Sequence, residues 1–263
     1  MGHATRALRR AVLGAVAVWA LPAMGAMPMV LARAATDRQS HTFAVGEGQT
    51  WSLTADVARV RVVADVQQRD VRIDITRHVP DGATLTRLPV IVREPASGPE
   101  VILRQADRSL DPAVRAEIVV TVPAVGSRGA VSVIEGSLEI RGYRGRLDAS
   151  VQRGPIAASD VSGVLRLETT IGAVTVTGAR LAPGGLLRLR AFNGDVTLAF
   201  AEPPRDARVL ALALNGSIQS AIPLTMKDGW GPRWGETTVG SGEHVVSIDV
   251  VTGTIRLEAP APR

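Results

Sequence analysis

Glycine residues at a fixed spacing constrain the fold of this sequence more than any other feature. The spacing is nine residues, and the glycines are Gly136, Gly145, Gly154, Gly163 and Gly172. The second and fourth residues after each of them are apolar or alanine, which is the alternation of a short β-strand that follows a turn. This unit predicts a repeat protein built from β-strands.

The spacing of alternate glycines gives the length of the repeat. One series has separations of 18, 18, 22 and 22 residues and runs through Gly136, Gly154, Gly172, Gly194 and Gly216. The other has separations of 18, 22 and 22 residues and runs through Gly145, Gly163, Gly185 and the equivalent Ala207. Because both series lengthen by four residues at about the same place, we interpret them as two sides of one coil. The sequence therefore predicts an all-β fold, a β-solenoid of about 18–22 residues per coil whose strands stack in parallel.

A stack of β-hairpins is the competing interpretation. It would need two-residue turns such as Asn-Gly at hairpin spacing. Asn193-Gly194 and Asn215-Gly216 lie 22 residues apart and in matching register, which favours the corners of successive coils.

The same register predicts which side chains of two central strands are buried, since side chains alternate between the two faces of a strand. The positions expected to point inward are Leu165, Leu167, Leu187 and Leu189. Arg166 and Arg188 lie between them and are expected to point outward.

The first 34 residues have the pattern of an export signal. A basic stretch up to Arg10 precedes an apolar stretch from Ala11 to about Leu31, and Ala32-Arg33-Ala34 places small residues at cleavage positions. An uncleaved membrane anchor is the alternative, and Arg9-Arg10 leaves the twin-arginine export route open. We expect an exported protein that is periplasmic, at the cell surface or extracellular.

The predicted segments divide the chain into four parts. They are a signal peptide at 1–34, a linker at 35–40, the β-solenoid domain at 41–258 and a disordered tail at 259–263. The chain has no cysteine, which excludes disulfides and thiolate metal sites.

The net charge of +5 does not indicate a nucleic-acid partner. The first 34 residues hold four of the 30 basic residues and none of the 25 acidic ones, so the rest of the chain is nearly neutral. Aromatic residues make up 3% of the chain, too few to stack on bases. We predict no nucleic-acid partner, and contact with a membrane only through an uncleaved leader.

The closing segment from Gly240 to Leu257, GSGEHVVSIDVVTGTIRL, continues the glycine-led pattern. With that pattern, the chain resembles the DUF4097 family, whose members are described as adhesin-like proteins with β-strand repeats. The resemblance covers most of the chain after the leader. It implies a right-handed, single-stranded β-helix in an exported or membrane-anchored bacterial protein, and it supplies no catalytic residues.

No motif for catalysis or for binding a cofactor or metal is evident. The four histidines, His3, His41, His78 and His244, lie far apart and at no metal-ligand spacing. The positions after the turn glycines also lack the aspartates that bind calcium in nonapeptide repeats. We predict no catalytic residue, no cofactor and no metal, and a protein that is not an enzyme.

Two groups of residues are candidate binding sites. The first is a mixed stripe that leans basic, in which Asp148, Arg166 and Arg188 stack and are flanked by Arg146, Glu168 and Arg190. The ligand there would be an anionic glycan or a phosphate-bearing molecule. The alternative interpretation of this stripe is solvated charge that keeps the sheet soluble.

The second group is a loop rich in glycine and proline that contains Trp230, Arg233 and Trp234. Tryptophan and arginine are typical anchors of interfaces. The alternative is that the loop covers an open end of the solenoid, which predicts that at least one indole is mostly buried.

These features predict an exported, adhesin-like binding or structural element of the bacterial cell envelope, with a protein or a glycan as partner. One alternative is a carbohydrate-active β-helix enzyme that acts near Arg166 and Arg188. The other is a membrane-tethered accessory protein of the envelope-stress response.

Overall fold

The computed structural model describes residues 35–80, 82–227 and 231–260, and only the backbone of residues 82–84. The predicted signal segment at 1–34 lies outside the described residues. The described part of the chain contains no helix with the length and hydropathy needed to span a bilayer.

The described residues form seventeen strands and one short 3₁₀ helix. In chain order they are β1 (Ala35–Phe43), β2 (Trp51–Asp65), β3 (Val71–Val79), the 3₁₀ helix (Gly82–Arg87), β4 (Val90–Arg93), β5 (Glu100–Leu103), β6 (Arg115–Pro123), β7 (Arg128–Arg141), β8 (Arg144–Arg153), β9 (Ile156–Ser159), β10 (Ser162–Ile171), β11 (Val174–Ala179), β12 (Leu186–Asn193), β13 (Val196–Phe200), β14 (Ala207–Ser220), β15 (Thr225–Lys227), β16 (Arg233–Val239) and β17 (His244–Glu258).

Eight of these strands pair into a closed ring in which every neighbouring pair is parallel. The order around the ring is β7, β8, β10, β12, β17, β13, β11, β9 and back to β7. The ring closes because β7 and β17 are long enough to pair with two strands each. The first part of β7 pairs with β8 and its last part with β9, and β17 pairs in the same way with β12 and β13. The fold is a closed eight-stranded parallel β-barrel, with the remaining strands outside the ring.

The predicted single-stranded β-helix, or β-solenoid, is therefore wrong, although the all-β class is correct. In a solenoid each coil follows the previous one in chain order, whereas β17 lies between β12 and β14, and β14 precedes it in the sequence. Antiparallel strands also flank the parallel ring, since β1 pairs with β3, β3 with β6, β4 with β5, and β16 with both β14 and β15. A glycine period reports the length of strands and the positions of turns, but it does not report which strands become neighbours.

The local register predicted from the repeat is confirmed. Leu165 pairs with Leu147 on one side and with Leu187 on the other, at offsets of 18 and 22 residues. The four leucines predicted to point inward are buried, with exposed fractions between 0% and 4%. Arg166 and Arg188 lie on the outer face of the same strands.

A column of stacked glycines explains the repeat. Gly136, Gly154, Gly172, Gly194 and Gly253 have φ angles between +141° and +154°, a region that favours glycine. A Cβ atom on Gly154 would lie 1.7 Å from the carbonyl oxygen of Gly136, and one on Gly172 would lie 2.1 Å from that of Gly154. Neighbouring backbones therefore approach too closely at this corner for any side chain.

Residues 35–40, which were predicted to be a linker, belong to strand β1. All residues of β1, from Ala35 to Phe43, pair with β3, so residues 35–40 are not a linker. The buried guanidinium of Arg77 on β3 contacts the carboxylate of Asp37 on β1, and its Nη1 donates to the carbonyl oxygen of Leu88, 2.8 Å away. A buried arginine with these partners fixes β1 to the body of the protein.

Asp195 fixes β17 at its place in the ring. Its Oδ2 accepts a 2.7 Å hydrogen bond from Nη1 of Arg256, and its Oδ1 accepts a 2.8 Å bond from the backbone N–H of Thr254. Both donors belong to β17, whereas Asp195 lies in the turn between β12 and β13. The hydrogen bond from Arg256, followed by that from Thr254, holds the pKa of Asp195 below its usual range.

We expect this contact to contribute to the acid sensitivity of the fold. Because the folded-state pKa is lowered, the stabilisation is present above the unfolded pKa of about 4 and is lost as the pH falls through the folded value. Asp195→Asn should lower the free energy of unfolding at pH 7 and flatten its decline below about pH 4. Urea unfolding between pH 7 and pH 2 measures this, with Glu243→Gln as the exposed control. A decline in Asp195→Asn as steep as in the wild type would contradict the assignment.

Candidate functional site

The outward side chains of six neighbouring strands form one continuous surface, which we call the arginine–tryptophan face. The strands are β8, β10, β12, β17, β14 and β16, in that order across the sheet. One row across it consists of Asp148, Arg166, Arg188, Ser247, Leu210 and Glu236. The next row consists of Ser150, Glu168, Arg190, Asp249, Leu212 and Trp234. The structure thus brings the arginine stripe and Trp234, predicted as separate candidates, onto the same face.

The arginines in the middle of this face are paired with acidic side chains. Arg166 donates from Nη1 to Oδ1 of Asp148 at 2.9 Å. Arg188 and Arg190 both approach Oδ2 of Asp249, at 3.8 and 3.9 Å. The stripe is therefore less basic than the sequence indicates, because Asp249 comes from a strand whose position is not evident from the repeat. Ion pairs this exposed add little stability.

The β14 end of the face is apolar. Leu212 is half-buried and pairs with Trp234, whose side chain is 41% exposed. Phe192, Val251 and Leu214 occupy equivalent positions on the neighbouring strands β12, β17 and β14, and Phe192 and Leu214 are 43% and 42% exposed. Large exposed apolar side chains gathered on one surface are typical of interaction sites.

The indole of Trp234 is held by a neighbouring lysine. The Lys227 Nζ lies 4.6 Å from the centre of the ring, a cation–π contact, and 3.0 Å from Oε1 of Glu236.

Arg233 is exposed at the start of β16. Trp230 lies outside the described residues. β16 pairs along the edge of β14 and so covers that edge, but Trp234 itself is not the mostly buried indole that the end-cap interpretation predicts.

Sequence reasoning missed Phe192, Leu210, Leu212 and Leu214. A signal was present in β14, where Val209 to Leu214 reads as an uninterrupted apolar run. Such a run indicates a strand that is apolar on both faces, whereas the glycine-led repeat specifies only the inward positions.

An open groove of about 360 Å³ lies at the other end of the face. Its outward side chains are Ser52, Thr54, Ala130, Ser132 and Ser150, which are small or hydroxylic, and the charged Asp148, Arg166 and Glu168. Asp148 and Arg166 border it, so the groove continues directly into the ion-paired middle of the face.

No group of three or more His, Asp or Glu side chains among residues 35–80, 82–227 and 231–260 is arranged to hold a metal ion. Tyr143, the residue before β8, has a buried phenol. Its hydroxyl oxygen lies 3.0 Å from the carbonyl oxygen of Ser127 and 2.9 Å from that of Arg146. Burial raises its pKa to about 12, so the phenol stays protonated and has a structural role.

The fold is shared with a solved bacterial structure. A candidate cell adhesion protein from Clostridium sporogenes ATCC 15579 aligns with a TM-score of 0.50 and 11% sequence identity, over 86% of this chain and 100% of its own. A candidate adhesin from Bacteroides fragilis NCTC 9343 aligns over 84% of this chain and 97% of its own, with a TM-score of 0.35 and 13% identity. A candidate lipid binding protein from Parabacteroides distasonis ATCC 8503 covers the same shares, with a TM-score of 0.20 and 8% identity.

No family profile matches the chain, and no curated protein matches it in sequence. The resemblance to the DUF4097 family is therefore not supported by a match to a family profile. The likeness to the Clostridium sporogenes protein, at 11% identity, shows a common fold.

Proposed function

We propose that this chain is a non-catalytic, adhesin-like binding protein of the cell envelope, and that it binds a protein partner through the arginine–tryptophan face. The observation that carries the proposal is the cluster of exposed Trp234, Phe192 and Leu214 on the same face as the guanidinium groups of Arg188 and Arg190. Aromatic and arginine side chains of this kind dominate the binding energy of protein interfaces.

The composition of the face supports a protein partner over a small ligand. The apolar residues spread over β12, β17, β14 and β16, so a broad complementary surface is needed to remove them from water. The ion pairs around Asp249 would set the orientation of the partner more than its affinity. We extend the proposal to a role in adhesion, the role in the name of the Clostridium sporogenes protein, and to export through the N-terminal segment.

A glycan is the second candidate partner, and the hydroxyl-lined groove favours it. Ser132 and Ser150 could exchange hydrogen bonds with sugar hydroxyls there, at the opposite end of the face from Trp234. The two candidates therefore depend on different side chains.

Trp234→Ala is expected to weaken binding to envelope fractions of the producing bacterium at least tenfold, because it removes the largest exposed aromatic side chain of the face. Thermal unfolding should change little, since the side chain is 41% exposed. Saturation binding of labelled protein measures the effect. Val125→Ala is the matched control, because Val125 is an exposed apolar residue, 74% exposed, in the turn between β6 and β7.

Two results would contradict the proposal. Equal losses in Trp234→Ala and Val125→Ala would mean that any exposed apolar residue contributes and that the face is not a specific site. A loss caused by Ser132→Val but not by Trp234→Ala would favour the glycan candidate.

A further inference from the structure

The two asparagines of the chain are each followed by glycine, and they lie at equivalent corners of the fold. β12 ends at Asn193, whereas Asn215 lies within β14. Both residues pair with Thr252 of β17, one from each side. Both are exposed. The same dipeptide therefore occurs twice in one structural setting, and the two copies can be compared directly.

The glycine N–H groups of the two corners differ in their hydrogen bonding. The N–H of Gly194 donates to the next strand, to the carbonyl oxygen of Thr252, 3.0 Å away. Gly216 occupies the equivalent position on β14, one strand beyond β17. β16 covers the other edge of β14 only from Ala207 to Ala213, and no other described strand pairs with that edge. The N–H of Gly216 that corresponds to the donor of Gly194 therefore has no described strand to donate to.

An asparagine followed by glycine can react with its own backbone. The nitrogen of Gly216 forms a bond to Cγ of Asn215, the C–N bond of the side-chain amide breaks, and ammonia leaves with the proton of the attacking nitrogen. The product is a cyclic succinimide, which water opens at either carbonyl to give aspartate or isoaspartate. Glycine favours the ring closure because it has no side chain and its backbone is the least restricted.

We propose that Asn215 deamidates spontaneously in the folded protein and that Asn193 is protected. The nitrogen of Gly194 must give up its hydrogen bond to Thr252 before it can react, whereas that of Gly216 lies on an open edge. This part of β14 is also exposed, and exposed segments open locally more often than the interior of a sheet. The inference does not rest on the proposed function, because the reaction involves only Asn215, Gly216 and water.

The reaction would change an edge that carries no charge. Residues 214–220 of β14, LNGSIQS, contain no ionisable side chain. Aspartate at position 215 would place a negative charge on this open edge, and charged side chains hinder the pairing of an edge with another chain. Isoaspartate would also add a methylene group to the backbone and so disturb the register in which Ser217 contacts Thr254.

Ageing of the full chain in mildly alkaline buffer tests the proposal, with peptide mass spectrometry to follow each asparagine separately and an unaged sample as background. We expect Asn215 to be converted about tenfold faster than Asn193, the factor that corresponds to about one backbone hydrogen bond. Enzymatic methylation should detect isoaspartate in part of the product. In guanidinium chloride the two rates should become similar, since both asparagines precede glycine and the fold no longer protects either.

Two matched variants complete the test. Asn215→Gln should remove most of the isoaspartate that the folded protein forms, whereas Asn193→Gln should leave its amount unchanged. Trp234→Ala should deamidate at the wild-type rate, which separates this result from that for the face. Equal rates at the two asparagines in the folded protein would overturn the proposal, because the open edge at Gly216 would then not distinguish them. A faster rate at Asn193, or no conversion at either position, would overturn it as well.

Discussion

Replacing Leu167 with aspartate is expected to destabilise the protein by more than about 4 kcal/mol, the largest effect that we predict for a single substitution. Leu167 is 1% exposed in β10, with Ala149 and Leu189 at the paired positions of the adjacent strands. These neighbours are apolar, so the new carboxylate would be buried without a partner. Urea unfolding followed by circular dichroism measures the loss.

The matched control for this substitution is Thr170→Asp. Thr170 lies three residues further along the same strand and is exposed, so the same charge in β10 remains in water. We expect a change within about 0.5 kcal/mol for this variant. Similar losses for both variants would mean that aspartate disrupts the strand itself, and the inward register of Leu167 would not be supported.

Gly154→Ala is expected to cost more than about 3 kcal/mol, since two separate penalties combine. The φ angle of Gly154 is +141°, which side-chain-bearing residues rarely adopt. A Cβ atom there would also lie 1.7 Å from the carbonyl oxygen of Gly136, so the two strands would have to move apart. Thermal and urea unfolding of the purified variant measure the effect.

Gly184→Ala separates these two penalties. Gly184 has a φ angle of +68°, but a Cβ atom built on it meets nothing within 4 Å. Only the conformational penalty applies there, about 1 kcal/mol. If Gly154→Ala cost no more than Gly184→Ala, close packing of the backbones at the glycine column would not be what requires glycine.

The sequence was sufficient to predict those parts of the fold that depend on neighbouring residues. The glycine period located the corners, and the alternation around Leu165 and Leu187 gave the buried face, because turns and strands are set by local backbone and side-chain preferences. Closure of the ring was not predictable in this way. It depends on β17 pairing with β12 and β13, and the repeat contains no information that places the segment after Gly240 between them.

The candidate site was predicted in part for the same reason. The outward positions of Arg166 and Arg188 follow from their own strands. The 18-residue repeat also places Asp148 beside Arg166, whereas the pairing of Arg188 with Asp249 depends on β17, whose position the repeat does not give. Trp234 reaches the face because β16 turns back along β14, an antiparallel contact that a parallel repeat does not predict.

The position of β17 also determines when the protein can finish folding. Leu186 on β12 pairs with Val245, and Ala207 on β14 pairs with His244, so both partners must wait for a segment made much later. Contacts between distant parts of a chain slow folding, and strand edges that lack a partner can pair with other molecules. On the ribosome, the ring stays open until His244–Glu258 has been synthesised. The interval between synthesis of β14 and synthesis of β17 is therefore the period in which the nascent chain is most vulnerable to aggregation.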